Sequence, residues 1–487
     1  MTTRIMKYPV YTPNILPYTK SIHSAIESGW VSSQGEFIAK ASEESKRILG
    51  TSYVVLVNNG TSATHLLYKS IKYKYPNIKK IYVPDYVFVG VWNCALYEYR
   101  PQEIEVLRID KNTLNMVEDE DYILSLSPNS AVVVVHNIGN VVNVPRLQRL
   151  RPDIVFVEDC CEAFLEEYEG KKVGTSSLCA AVSFFGNKII TTGEGGLWYT
   201  NDEDLYNYIY RSCHHGMTGE RYIYDVLGYN YRMTNLQAAL LYDQLRDIDT
   251  ILNTKRTVYN RYIELFKNTD IQPITTGLWM FVIRIPDNVG NYVKFGIDTR
   301  PMFYNIHAHE HLRKIPCIYQ NIHHGQISMI PSSPSLTSYD QTYIANCIVH
   351  RFSNLHVHRI THENVSLLDE FIQNTLPDTF RYFHKRNSKY CLDNHTLTLI
   401  GTYEGKPICY GHIDDGWLGI CVLPEYQSRG YGKQLMYMLT KYADFELNGK
   451  LKLTVDKTNI TAIALYKKYG FATVSEIEHY YLMERSV

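Results

Sequence analysis

The chain has no surplus of either charge. Its 487 residues carry 49 Lys and Arg against 50 Asp and Glu, a balance that argues against a nucleic-acid footprint or an electrostatic membrane anchor. Long apolar runs are missing too: the aliphatic stretch Ala131 to Val135 falls far short of the ~20 residues a membrane span needs. Met1 to Lys7 lead into no apolar core of a secretory signal. The ten cysteines are scattered without C-x-x-C spacing, which excludes a disulfide scaffold and offers no zinc ribbon or redox pair. The one close pair, Cys160-Cys161, reads as packing thiols on a buried strand, and a reducing, cytoplasmic compartment is the expectation. Repeats and low-complexity tracts are absent. Tyr is plentiful, with 41 residues, which points to an A/T-rich genome rather than to a function. The length and a hydrophobic content of 45% describe a globular chain of roughly three domains with large cores.

From about residue 40 to 200 helical patterns alternate with short, continuous apolar strands. That alternation predicts an α/β fold around a mostly parallel sheet covered on both faces. Tyr53–Val57, Ile81–Val83, Ala131–Val135 and Ile154–Val157 are the expected strands. Long helices are expected over 235–266, and Phe281–Arg284 as a strand of a smaller second domain. A third unit is expected after residue 375, opening with a hairpin from Leu397 to His412 that turns at Glu404-Gly405-Lys406. A strand Leu418–Val422, a helix from Lys433, a strand Leu451–Val455 and a helix Ala462–Lys468 complete it. The expected domains are therefore 1–250, 251–375 and 376–487.

The chemistry concentrates in Ser183 to Gly196, S-F-F-G-N-K-I-I-T-T-G-E-G-G. A lysine among apolar residues and tight glycine turns is desolvated and rigid, the condition that activates an amine for Schiff-base chemistry. Upstream, Val157-Glu158-Asp159 places a carboxylate at the end of a buried strand, where open α/β sheets hold ligands. Pyridoxal phosphate needs both a lysine for its aldehyde and an acid for its pyridine nitrogen. Its phosphate needs a helix start, and Gly60-Thr61-Ser62 follows a strand.

With these pieces in order, residues 8 to about 375 resemble the nucleotide-sugar aminotransferases of the DegT/DnrJ/EryC1/StrS family, of the type I aminotransferase fold. The matching stretches are N-N-G-T-S at 58–62, V-P-D-Y-V-F at 83–88, V-E-D-C-C-E-A at 157–163, the Lys188 run, and L-G-Y-N-Y-R-M-T-N at 227–235. The resemblance implies that Lys188 carries the cofactor and that Asp159 pairs with the pyridine nitrogen. By the same resemblance Phe88 stacks on the ring, and Gly60, Thr61 and Ser183 cradle the phosphate. Glu162 stands where the family contacts the cofactor's 3′ oxygen, often through Gln, and is expected to titrate unusually. Asn230 lies in the segment that reaches a neighbouring subunit's cofactor phosphate, which implies a homodimer. Asp298 to His307 resembles the family's T-R-P-F-F-Y-P-L-H loop, nominating Arg300, Tyr304 and His307 for substrate binding. Met302 and Asn305 depart from that pattern. The histidines at 307, 309 and 311 and at 356, 358 and 362 are read as loop residues, and no metal is expected.

In the last part, Val422 to Lys433 joins a strand to a helix through Gly430 and Gly432, a turn whose bare amides can wrap a pyrophosphate. Its Q-x-x-G-x-G spacing and the later N-x-x-A-x-x-x-Y-x-K-x-G-F pattern resemble the GCN5-related N-acetyltransferases (GNAT). The resemblance implies that Gln427, Arg429, Gly430, Tyr431 and Gly432 hold the pyrophosphate of acetyl-CoA. It places Asn459 by the pantetheine and makes Tyr466 the acid for the leaving thiolate. The first strand and helix of that fold find no counterpart after residue 376, so a truncated domain is expected. Asp414 and Asp415 are the candidates for a general base.

The expectation is a bifunctional enzyme. L-glutamate gives its amine to a nucleotide-linked 4-keto-6-deoxyhexose, and acetyl-CoA then acetylates the new amine. The alternatives are an aminotransferase whose C-terminal domain only binds CoA or a partner, and a non-enzymatic regulator. A sugar dehydratase of the same family would carry histidine in place of Lys188.

Overall fold

Runs of β-branched residues build the central sheet of the first unit. The computed structural model describes residues 7–286, 292–317, 322, 324–375 and 387–486. It divides into two units, the first made of Met1–Asn260, Ile271–Val289 and Asp298–Ser335. Its main sheet holds β1 (Tyr53–Val57), β2 (Ile81–Pro84), β3 (Ile104–Leu107), β4 (Ala131–Val135), β5 (Val155–Asp159), β6 (Ala180–Ser183) and β7 (Gly196–Thr200). The order is β1-β7-β6-β5-β4-β2-β3. Pairings from β6 to β3 are parallel, and only β7 runs against its neighbours. Val133 and Val135 enter one apolar cluster, Val132 and Val134 another, the period of two that a strand imposes. With both faces covered, no polar alternation is needed.

This topology brings the C-terminal ends of β1, β2, β5 and β6 to one edge. From that edge start α1 (Gly60–Lys74) and α2 (Val89–Glu98). Asn59 caps α1, its Oδ1 accepting from the Ser62 amide at 2.8 Å. The helices α3 (Asn235–Arg246) and α4 (Ile248–Phe266) follow. A smaller antiparallel sheet holds β8 (Gln272–Pro273), β9 (Phe281–Arg284), β10 (Arg300–Pro301) and β11 (Ile327–Ile330) in the order β8-β9-β11-β10.

The second unit comprises Arg261–Asp270, Gly290–Ile297 and Leu336–Val487. After α5 (Ser338–Val349) come β12 (His356–Arg359), α6 (Ser366–Asn374) and α7 (Ser388–Asn394). Then follow β13 (Leu397–Tyr403), β14 (Lys406–Asp414), β15 (Trp417–Val422), α8 (Tyr431–Glu446), β16 (Leu451–Asp456), α9 (Ile460–Lys468), β17 (Ala472–Ile477) and β18 (Tyr480–Arg485). The sheet order is β12-β13-β14-β15-β16-β18-β17. The expected hairpin is present, turning on Glu404 at φ 49° and Gly405 at φ 81°, the paired positive values of a two-residue loop. β15 and β16 form a parallel pair registered at Trp417↔Lys452, while β14 and β15 register from Cys409↔Val422 to Asp414↔Trp417.

One expectation is corrected. The first strand and helix are present but lie upstream of residue 376: β12 pairs with β13 from His356↔Thr402 to Arg359↔Leu399. Leu368 and Phe371 of α6 and Cys391 of α7 pack with Ile400, Tyr410 and Cys421 of the sheet. The C-terminal fold is not truncated, and its sheet begins ahead of the boundary read from the sequence. His-Val-His-Arg makes a polar edge strand with only Val357 buried, so no apolar run announces it. Among the described residues, no helix is long and apolar enough to cross a membrane.

Candidate active site

Gly60 opens α1 against the end of β6. A Cβ on it would stand 2.5 Å from the Cβ of Ser183, so only glycine permits this approach. The start of α1, the positive end of its dipole, thereby comes beside the Ser183 hydroxyl. Thr61 and Ser62 line the same space.

Asp159 ends β5 and is 3% exposed. Its Oδ2 accepts from Thr64 Oγ1 at 2.9 Å and its Oδ1 from the Cys161 amide at 3.0 Å. The strand stops here, so Cys160 and Cys161 lie just beyond it rather than on it. Burial pushes both thiols well above their ordinary range.

Lys188 rides on a loop folded back upon itself. The Phe184 amide bonds to Gly195 O at 2.8 Å and the Thr192 amide to Phe184 O at 3.0 Å. Gln244 of α3 bonds both the amide and the carbonyl of Thr191, at 3.0 and 2.8 Å. Lys188 Nζ stands 3.7 Å from Glu162 Oε1 and 4.2 Å from the centroid of the Trp279 ring. Glu162 Oε2 accepts from the Ile138 amide at 2.8 Å. Burial pushes the Glu162 carboxyl up to about 7, against the opposing pull of the Lys188 ammonium and the Ile138 amide.

These groups share a cavity of about 570 Å³. Phe88, half exposed, lines it as well. A Cβ on Gly90 would meet that ring at 2.9 Å, so glycine frees the space beside it. Asn187 Oδ1 is buried in the wall with no partner among the described residues. The site thus supplies an amine, a carboxylate, a ring face and a helix start, and it fits a flat, phosphorylated, nitrogen-containing group.

Gly60, Thr61, Phe88, Asp159, Glu162, Ser183, Lys188 and Arg300 all line this one cavity. Tyr304 and His307 do not; Pro301 and Phe303 of the same loop take their place. Met302 is core, 1% exposed. Asn230 also lies outside the lining, where Tyr231 enters. The Asn230 Oδ1 accepts from Arg232 Nε at 3.1 Å, and its carbonyl accepts from Asn58 Nδ2 at 3.3 Å. Trp279 and Tyr97 were not foreseen. A tryptophan just ahead of β9 was the only signal for the first, and no motif carries it.

In the second unit, Gly430 caps α8 at φ 85°, a conformation that favours glycine. A Cβ on Gly432 would meet Leu465 only at 3.5 Å, so packing does not demand glycine there. The loop is braced by Gln427 Nε2 on Val422 O and Arg429 Nη2 on Glu425 O, each at 3.0 Å. Tyr431 is buried. Asn459 caps α9, accepting from the Ala462 amide at 3.0 Å. Tyr466 is buried, which pushes its hydroxyl up to about 12 and keeps it protonated. Asp414 and Asp415 sit at the opposite end of β15 from this loop, roughly 17 Å away by strand rise.

Residues 18–349 match the family model of the DegT/DnrJ/EryC1/StrS aminotransferases, and residues 359–471 match that of the GNAT acetyltransferases. Among curated proteins the chain is 30% identical to a GDP-perosamine synthase of Escherichia coli O157:H7, over 72% of this chain and 100% of that one. It is 30% identical to a GDP-perosamine synthase of Vibrio cholerae, over 71% and 99%. Among solved structures, a Helicobacter pylori aminotransferase of pseudoaminic acid biosynthesis superposes with a TM-score of 0.64 at 20% identity, covering 71% of this chain and 99% of the other. A GDP-4-keto-6-deoxy-D-mannose-3-dehydratase of E. coli does so with 0.64 at 22%, covering 71% and 100%.

Proposed function

The chain belongs to the DegT/DnrJ/EryC1/StrS aminotransferase family and carries a GNAT domain behind it, and on that premise we propose that it builds an N-acetylated 4-amino-4,6-dideoxyhexose on a nucleotide carrier. The amino donor is L-glutamate, the acceptor a nucleotide-linked 4-keto-6-deoxyhexose, and the acetyl donor acetyl-CoA. The relatives named GDP-perosamine synthase make GDP the first carrier to test.

The observation that carries this reading is Lys188 and Asp159 in one cavity with a glycine-opened helix start. Pyridoxal phosphate, when bound, supplies an aldehyde for amine exchange and a protonated ring that stores an electron pair. The start of α1 and the Ser183 hydroxyl bind its dianion. Asp159, held by Thr64 and the Cys161 amide, fixes a negative charge where the ring nitrogen needs one. Phe88 packs on the ring. Lys188 Nζ is the proton carrier, which sets this chain apart from a dehydratase with histidine there. Arg300 faces the anionic end of the substrate.

In the second unit the loop at Gly430 to Gly432 receives the pyrophosphate of acetyl-CoA, and Tyr466 protonates the departing thiolate. The new sugar amine is the acetyl acceptor.

The working form is a homodimer. Tyr222 is 68% exposed and Leu227 78%, in the stretch that leads to Asn230. A second copy covering that stretch would bring Asn230 toward the neighbouring cofactor phosphate. Ten free thiols accord with a reducing cytoplasm.

Mass spectrometry of products from a panel of nucleotide 4-keto sugars, with and without acetyl-CoA, tests the assignment. An acetamido product that needs both glutamate and acetyl-CoA supports it. An amine that is never acetylated reduces the second unit to a binding module. Lys188→Ala is expected to abolish transamination together with the absorbance band of the bound cofactor. Asp159→Asn should keep the cofactor and lose most of the rate. Turnover by Lys188→Ala would sink the lysine assignment.

A further inference from the structure

Lys188 Nζ has two close neighbours of opposite character. Glu162 Oε1 lies 3.7 Å away, and the Trp279 ring centroid 4.2 Å away. Trp279 is 3% exposed and belongs to a core cluster with Ile138, Met280 and Met329. Its Nε1 donates to the Asn187 carbonyl at 3.0 Å, the residue just before the lysine. The indole is thus fixed by the peptide that carries the amine, and its face, not its edge, meets the Nζ. A tryptophan selected only to fill volume has no need of either contact.

An aromatic face attracts a cation through its quadrupole, most strongly for Trp and most strongly where water is excluded. Lys188 and Trp279 both line the cavity, and both are largely withdrawn from solvent. Among the described residues, the titratable groups that feel the amine are Glu162 and Cys161, and both also feel Asp159. The Tyr11 hydroxyl bonds the Lys188 carbonyl at 3.2 Å rather than its amine. Ile138, at φ 54°, holds the far oxygen of Glu162 and so aims the near one at the lysine. Among the described residues, Trp279 is the neighbour that favours the ammonium without being able to take its proton.

We propose that Trp279 is a positioning residue for Lys188, its indole face holding the protonated amine at the cavity wall when the lysine is not joined to cofactor. This rests on the reading of Lys188 as the cofactor lysine. The indole gives the freed side chain one place to wait, within reach of Glu162, instead of the many rotamers a lysine otherwise samples.

The test uses the full chain stripped of cofactor. Acetic anhydride labels neutral amines, and the extent at Lys188 is read by mass spectrometry across a range of pH. Trp279→Leu is expected to move the labelling midpoint to lower pH, with labelling below that midpoint rising about 2- to 30-fold as the cation loses its partner. Trp279→Phe keeps a weaker ring face and should shift the profile less, in the same direction. Superimposable profiles for wild type and a folded Trp279→Leu overturn the proposal. If the Leu variant does not fold, a Trp279→Phe profile that matches wild type, or moves the other way, overturns it instead. Borohydride reduction of the holoenzyme checks the underlying reading separately, because it fixes the cofactor to its lysine for peptide mapping. Cofactor on another lysine removes the Lys188 reading itself. Cofactor on Lys188 with an unmoved labelling profile removes only the role of Trp279.

Discussion

Gly60 and Ser183, 123 positions apart by their numbers, approach so closely that a Cβ on the first would lie 2.5 Å from the Cβ of the second and 2.6 Å from its hydroxyl. No rotation of Ser183 relieves this, because its Cα would also stand at 3.1 Å. Gly60→Ala must therefore push the start of α1 away from β6, opening the space between helix amides and hydroxyl. We expect a folded protein, destabilised by about 1–3 kcal/mol, whose affinity for pyridoxal phosphate falls at least tenfold. Fluorescence titration of the cofactor-free variant reads this. Unchanged affinity would remove the helix start from the phosphate site.

Most of the first-unit site was legible in the sequence because its residues sit at strand ends and helix starts. Asp159 closes a continuous apolar run, and Gly60 follows another. The Lys188 loop declares itself by its glycines. What stayed hidden came from distant chain. Trp279 reaches Lys188 from a segment that carries no motif, and the amide that holds Glu162 belongs to Ile138, at a φ no sequence pattern signals. The Asp298 to His307 loop was legible as a motif, yet which of its side chains faces inward was not, so Phe303 lines the cavity where Tyr304 and His307 were expected. In the second unit β12 was missed because a strand at a sheet edge can keep polar residues. That single omission produced the expectation of a truncated fold.

Glu162 gives a pH dependence whose sign follows from burial of its carboxyl. Its carboxyl is raised from 4.5 to about 7, so the folded state holds a proton that the unfolded chain has already released. Its contribution is fully present below pH 4.5 and is lost as pH rises through about 7. Glu162→Gln has nothing to ionise. Wild type should therefore lose stability relative to this variant across that window, by no more than about 3 kcal/mol. Urea unfolding of both cofactor-free proteins at pH 5 and pH 8 measures it. A gap that stays constant between those values contradicts the assignment.

Lys255 works in the opposite sense. It is 3% exposed, with Nζ 4.5 Å from the Tyr11 ring centroid and 3.3 Å from the Tyr11 hydroxyl. Burial lowers it from 10.5 to about 7. A lysine lowered on folding penalises the native state where the unfolded amine is charged, and the penalty fades between about 7 and 10.5 as pH rises. Lys255→Met keeps the shape and removes the charge. It should stabilise the protein at pH 6.5, by about 4–5 kcal/mol at most, and much less at pH 9.5. An equal effect at both values would mean that the lysine stays charged in the fold.

Gly432 is the cleanest place to separate the two proposed activities. Gly430 stands at φ 85°, where any side chain strains the backbone. Its loss would confuse folding with binding. At Gly432 a Cβ meets Leu465 at 3.5 Å and Val422 at 3.9 Å, both ordinary contacts, so the fold tolerates a side chain while an approaching anion does not. Gly432→Glu adds both bulk and negative charge at the start of α8, where the acid repels the pyrophosphate and takes up the positive end of the helix dipole that the anion would use. The variant should keep its thermal midpoint within a few degrees, transaminate at the wild-type rate, and accumulate free amino sugar where wild type yields the acetamido product. Tyr466→Phe complements it: CoA still binds, and acetylation slows by about 10²–10⁴-fold if loss of the thiolate limits the rate. Calorimetry with CoA and timed product analysis distinguish the two. Acetylation by Gly432→Glu at the wild-type rate would place the pyrophosphate elsewhere, and an unslowed Tyr466→Phe would leave the buried hydroxyl a purely structural part of α9.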